Sequence, residues 1–199
     1  GGRARIVIGK DTRLSSYMLE YALVAGLTAV GADAYLLHVT TTPSVSYVTR
    51  SEGFDGGIMI SASHNHFADN GIKLLDAGGE KTDDATLLQV EKYLDGEIPE
   101  LPFATGEKIG RIVDYAAGRN RYTAYLLSLA TKSFKPLKIG LDCANGASWN
   151  IARSVFEALG AKVYIINNQP DGLNINTNCG STHIENLKKF VLDNGLNVG

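Results

Sequence analysis

Short apolar runs alternate with segments of helical period along the whole chain. Residues 5–9 (Arg-Ile-Val-Ile-Gly) are β-branched, few, and closed by glycine, which predicts a buried strand. Residues 16–30 predict a helix capped by Ser15 or Ser16. Its expected inner face carries Met18, Leu19, Ala22, Leu23, Gly26, Leu27 and Val30, and Gly31 suits its end. Strands are expected at 34–39, 57–62 and 72–76. A short helix should run from Thr42-Pro43 to about Thr49, with Thr as cap and Pro in the first turn. Residues 82–94 and 114–129 are helical in period, with a Pro-containing surface stretch at 97–106 between them. The pattern then restarts with a strand at 137–142, a helix at 148–159 and a strand at 162–166. An Asn- and Gly-rich loop at 167–183, a helix at 184–194 and a beginning strand near Val198 complete it.

Such alternation implies mixed, mostly parallel sheets sandwiched by helices, an α/β class. The restart places a division at about residue 119, giving units at 1–118 and 119–199, the second with few strands and incomplete. The chain opens Gly-Gly-Arg directly before a strand and closes as another begins, which reads as a piece of a longer protein.

Composition narrows the function classes. Lys plus Arg is 19 against 21 for Asp plus Glu, a net charge of −2, so nothing draws the chain to nucleic acid or anionic lipid as a whole. The longest mainly apolar stretch, 21–30, is half of the ~20 residues a spanning helix needs, so no membrane is expected. Two cysteines make neither a disulfide framework nor a Cys-rich metal site, and read as free thiols of a reducing cytoplasm. No charged-then-apolar leader opens the chain.

Candidate chemistry gathers after the strands. At 56–73 an apolar strand runs straight into Ser61-Ala62-Ser63-His64-Asn65-His66. Ligands in open α/β sheets bind outside the carboxyl ends of strands, which is where Ser63 and His64 fall. Small turn-forming residues follow, so backbone N–H groups could face an anion, and Lys73 could return to the same pocket. The alternative is a polar loop whose Ser and Asn cap local backbone. Lys10-Asp11-Thr12-Arg13 also follows a strand. Arg13 there either grips a phosphate bidentately or pairs with Asp11 to order the loop. Asp142-Cys143-Ala144-Asn145-Gly146-Ala147 is read as a structural turn around an interior Asp, with Cys143 in the core. The 170–183 segment is long for a connection, and His183 within it and His38 in a strand are read as structural or exposed. No Walker, Gly-x-Gly-x-x-Gly, His-Glu-x-x-His or Gly-x-Ser-x-Gly motif is present, which leaves a serine hydrolase as a distant third reading.

Ile60-Ser61-Ala62-Ser63-His64-Asn65 with Asp69-Asn70-Gly71-Ile72-Lys73 closely resembles the phosphoserine loop of the α-D-phosphohexomutases. Gly9-Lys10-Asp11-Thr12-Arg13 matches that family's Gly-[Arg/Lys]-Asp-x-Arg segment. The 142–147 and 170–183 segments are most similar to its bacterial amino-sugar branch. The resemblance implies domain I plus part of domain II of a phosphohexomutase. It also implies an isomerase that interconverts glucosamine 6-phosphate and glucosamine 1-phosphate through a phosphoserine and a bisphosphate. On this resemblance Ser63 carries the phosphoryl group and is the one metal ligand in the chain, toward Mg²⁺. Lys73 assists proton transfer or charge, His64 and Asn65 shape the loop, and Arg13 and Asn65 contact phosphate. The implied partners are a hexosamine phosphate and the rest of the same chain, in the cytoplasm. The family's Asp-Gly-Asp-x-Asp metal loop is expected just beyond Gly199, so these residues alone should be catalytically inert. His66 departs from the family's usual Pro, which loosens the loop. Phosphomannomutase or phosphoglucomutase activity, or a non-catalytic phosphosugar-binding fragment, are the alternatives.

Overall fold

The computed structural model describes residues 2–199. Strands β1 (Arg5–Lys10), β2 (Asp33–Val39), β3 (Gly56–Ile60), β4 (Ile72–Leu75) and β5 (Ile112–Asp114) form one sheet in the order β4-β3-β1-β2-β5. Only β4 runs antiparallel, beside β3. The central strands alternate between two cores, as a period of two requires. Val7, Leu37 and Met59 face one side, with Val45 and Val48 of helix α2 (Thr42–Ser51) and Phe54. Ile8, Ala34, Leu36, Ile58 and Ile60 face the other, with Val24 of helix α1 (Leu14–Ala29). Burying each such side chain is worth about 1.5–3 kcal/mol, and the paired faces fix the register.

Helix α3 (Asp84–Leu94) is capped by the Asp83 carboxylate, which accepts from Thr86 N–H at 2.9 Å, and contributes no buried residue. Helix α4 (Ala116–Ser128) closes on the first sheet at Gly118, where a Cβ would lie 2.7 Å from Leu37. The other end of α4 joins a second core. Tyr122 packs there with Ile151 and Val155 of helix α5 (Ile151–Ala158), and Tyr125 stacks on Tyr47 at 4.3 Å. Strands β6 (Lys138–Asp142) and β7 (Lys162–Ile166) pair in parallel, helix α6 (Ile184–Asp193) packs on β6, and Val198 bridges to Ile139 in parallel. The α/β class with mostly parallel sheets is therefore the observed one. No helix among the described residues is long and apolar enough to cross a membrane.

Several local expectations are corrected. The buried side of α1 is set by Ser16, Glu20 and Val24, with Leu19, Leu23 and Leu27 half-buried beside them, whereas Met18, Ala22 and Gly26 face outward. The reason is polar pairing. Glu20 forms an ion pair with Lys10, and Ser16 bonds to Asp11 at 2.8 Å, so two polar residues take inner positions. Ser16 accordingly lies inside the first turn rather than capping it, and no side chain caps α1. Thr41, not Thr42, precedes α2, without a side-chain cap bond, while Pro43 does sit in the first turn. Strand β5 has no counterpart in the sequence reading. It is three residues long, and its pairing with Ala34–Leu36 comes from far along the chain. His38 occupies a bulge at φ 58° and bonds to Asp114 at 3.1 Å, a structural role.

Candidate active site

Both sheets point strand carboxyl ends into one cleft. Asp11 follows β1, Thr41 precedes α2 and Thr42 opens it, Ser61 and Ser63 follow β3, and Asp142 ends β6. The cleft is thus built by chain reversals, where backbone N–H groups and small side chains are available.

Ser63 is exposed in this cleft and has φ 56°, the left-handed region that a non-glycine residue rarely adopts. The conformation is over-determined by its neighbours. Ser63 N–H donates to Ser61 Oγ at 3.1 Å. The Ser63 carbonyl accepts from Arg13 Nη2 at 3.4 Å and from Asn176 Nδ2 at 3.0 Å. The Asn65 carbonyl accepts from the same two groups at 2.7 and 2.9 Å. Ser63 Oγ makes no hydrogen bond among the described residues, so the backbone is held and the hydroxyl is free. Backbone strain of this kind costs about 1–3 kcal/mol and persists where surrounding contacts enforce it.

Arg13 answers the question its sequence left open. Its guanidinium is fully buried and paired with Asp11, whose carboxylate also accepts from Arg13 N–H at 3.0 Å and from Ser16 Oγ. It therefore orders the loop by binding its carbonyls and does not reach the cleft as a phosphate grip. Asn65 also takes part in ordering the loop. Its amide donates to Asp69 at 3.1 Å, within the loop, and only its carbonyl is tied to the site. His64 lines the cleft. Lys73 lies in β4 directly across from Met59, which also lines the cleft, so the two share a sheet face. His66 is exposed and tilts against Phe67 at 4.3 Å between ring centres.

The second sheet closes the cleft through Asp142. One carboxylate oxygen accepts from Ala144 N–H at 2.8 Å and Asn167 Nδ2 at 3.0 Å, and the other from Gly180 N–H at 2.9 Å. The long 170–183 loop is thereby folded back onto the turn after β6, as an interior Asp would do. Asn176 is a residue the sequence reading passed over. It gave no local signal, because one more Asn in an Asn-rich loop looks like turn chemistry.

Cys143 and Cys179 are buried and free. Burial pushes the Cys143 thiol up, only partly offset by a hydrogen bond with Ser148. Burial and the nearby Asp142 charge push Cys179 up as well. Since the thiolate is the reactive form, both should be inert in the folded protein. Reaction with a chromogenic aromatic disulfide at mildly alkaline pH is expected to be at least about tenfold slower than for a free thiol, and fast after denaturation. A native thiol reacting at the free rate would reverse that assignment.

Among the described residues no three His, Cys, Asp or Glu side chains come together as a metal-holding group.

Residues 1–99 match the family model described as phosphoglucomutase/phosphomannomutase, alpha/beta/alpha domain I. The chain is 64% identical over 197 residues to a phosphoglucosamine mutase of Lachnoclostridium phytofermentans, covering 99% of the chain and 44% of that protein. It is 66% identical over 198 residues to a phosphoglucosamine mutase of Lachnospira eligens, covering 100% of the chain and again 44% of the relative. Among solved structures, it superimposes with TM-score 0.77 and 27% identity on a phosphoglucomutase/phosphomannomutase family protein of Burkholderia thailandensis, covering 96% of the chain and 42% of that one. The chain thus spans less than half the length of the relatives it matches.

Proposed function

Because the chain belongs to the α-D-phosphohexomutase superfamily, we propose that it carries the phosphoryl-bearing serine of an enzyme interconverting glucosamine 6-phosphate and glucosamine 1-phosphate. The observation that carries this reading is Ser63 itself, with a free hydroxyl in the cleft and a fully tied backbone. The relatives named phosphoglucosamine mutase support the choice of sugar.

In the forward half-reaction the bond between phosphorus and Ser63 Oγ breaks as a bond forms to a sugar hydroxyl oxygen. That hydroxyl gives up its proton, and Ser63 Oγ takes one up. The resulting bisphosphate turns over in the cleft, and its other phosphoryl group returns to Ser63 by the reverse step. Such transfers depend on position and charge more than on covalent chemistry. A residue with a held backbone and a mobile hydroxyl meets that need. Lys73 is assigned to proton or charge handling, and His64, Arg13 and Asn65 to loop shape around Ser63. The division near residue 119 separates the serine-bearing unit from the one that closes the cleft. Activity belongs to the whole protein, in the cytoplasm, and these 199 residues alone are proposed to be inactive.

The test is a steady-state assay of the full-length protein, primed with a hexose bisphosphate. Glucosamine 6-phosphate should be converted with a kcat/KM at least about tenfold above those for mannose and glucose 6-phosphates. Preference for one of the other two would move the protein to another branch. Conversion of none would remove the mutase reading.

A further inference from the structure

Ser63 keeps its left-handed backbone through two donors that come from different units. One is Arg13, in the turn after β1. The other is Asn176, more than a hundred residues later, in the loop folded onto Asp142. They are not equivalent. Arg13 Nη2 reaches the Asn65 carbonyl at 2.7 Å but the Ser63 carbonyl only at 3.4 Å, a long contact. Asn176 Nδ2 reaches both, at 3.0 and 2.9 Å. Its amide has two hydrogens and meets two acceptors, so each hydrogen is used. The Ser63 carbonyl therefore rests chiefly on Asn176.

Asn176 is itself held. Its N–H donates to the Ala144 carbonyl at 2.9 Å, and Ala144 N–H in turn donates to Asp142. Its backbone has φ 58°, which Asn tolerates better than most residues. Two further bonds join the units beside it, Thr12 Oγ1 to the Asn145 carbonyl at 2.6 Å and Leu14 N–H to the Gly172 carbonyl at 2.9 Å. The donor thus arrives on a fixed arm.

We propose that Asn176 is a positioning residue for Ser63. Its side-chain amide, supplied by the second unit, clamps the Ser63 and Asn65 carbonyls and so holds the serine hydroxyl toward the cleft. The serine-bearing loop is then complete only when the second unit is docked. The clamp stands on geometry alone, while its catalytic consequence rests on the phosphoserine reading.

Two variants of the full-length protein test it. Asn176→Gly suits a positive φ and removes the amide with its methylene. Asn176→Asp keeps shape and backbone preference but sets a carboxylate against two carbonyl oxygens. Hydrogen exchange of the peptide spanning 61–71 should speed up by about tenfold in both, with the rest of the protein unchanged. The kcat should fall about tenfold to a hundredfold, more for Asp than for Gly, while KM for the sugar phosphate stays within about twofold. Unchanged exchange in the loop would overturn the clamp. Exchange rising throughout the protein would also overturn it, since Asn176 would then hold the fold and not the serine. Faster loop exchange with an unchanged kcat would leave no positioning role. If the unmodified protein turns over no hexose phosphate, the phosphoserine reading falls, and loop exchange still judges the clamp.

Discussion

Ser63→Gly is expected to lower turnover of glucosamine 6-phosphate by roughly 10⁴-fold or more, the scale seen when a covalent nucleophile is removed. Glycine is the informative replacement because of the backbone. Ser63 sits at φ 56°, where an L side chain is penalised by about 1–2 kcal/mol and glycine is not. Glycine also gains more freedom in the unfolded chain, worth about 0.5–1 kcal/mol, which offsets part of that relief. Thermal stability should therefore stay level or rise slightly while activity disappears. Ser63→Ala should lose activity equally but retain the conformational penalty. A dead but fully folded Ser63→Gly protein would tie the loss to the missing hydroxyl. Residual turnover within about tenfold of the parent would mean that another group carries the phosphoryl, since loss of a nucleophile is far costlier. Intact-mass measurement after priming gives a second readout: one phosphoryl group on the parent and none on either variant.

The strand order and the chemistry of the 61–65 loop differ in how much of each could be read from residues alone. Short continuous apolar runs marked β1, β2 and β3 as buried strands because each buries both faces, and parallel pairing followed from the intervening helices. Polarity misled where polar residues are buried in pairs. Lys10–Glu20 and Asp11–Ser16 turn α1 so that Met18 faces solvent, and no apolar periodicity encodes an ion pair. Strand β5 escaped because three residues carry no period and Ile112 is an exposed edge position. The position of Ser63 at a strand end was legible, but what holds it was not. Its clamps donate to main-chain carbonyls, which every residue possesses, so neither Arg13 nor Asn176 leaves a side-chain partner in the sequence to be found. The two roles open to Arg13 were distinguished only by its burial.

That burial makes Arg13 the position where stability and activity should separate most clearly. Arg13→Met leaves the Asp11 carboxylate buried with Ser16 Oγ and one backbone N–H as partners but no cation. Breaking one side of a buried pair costs about 3–5 kcal/mol, a large part of the roughly 5–15 kcal/mol that holds a domain together. An unfolding free energy lower by that amount, read from the urea midpoint and slope, is the expected result. Asp11→Leu combined with Arg13→Met removes the orphaned charge, and replacing both partners of a buried pair by apolar residues is far less costly than removing one. The double variant should therefore recover much of the midpoint, short of the bond that Asp11 accepts from Ser16. Activity should not recover with it. The Asn65 carbonyl has lost its 2.7 Å donor in both variants, and the loop bearing Ser63 is left on Asn176 alone. A stable double variant with parental kcat would show that Arg13 serves only the core. An Arg13→Met unfolding free energy within about 1 kcal/mol of the parent would mean that water reaches Asp11, as for an exposed pair.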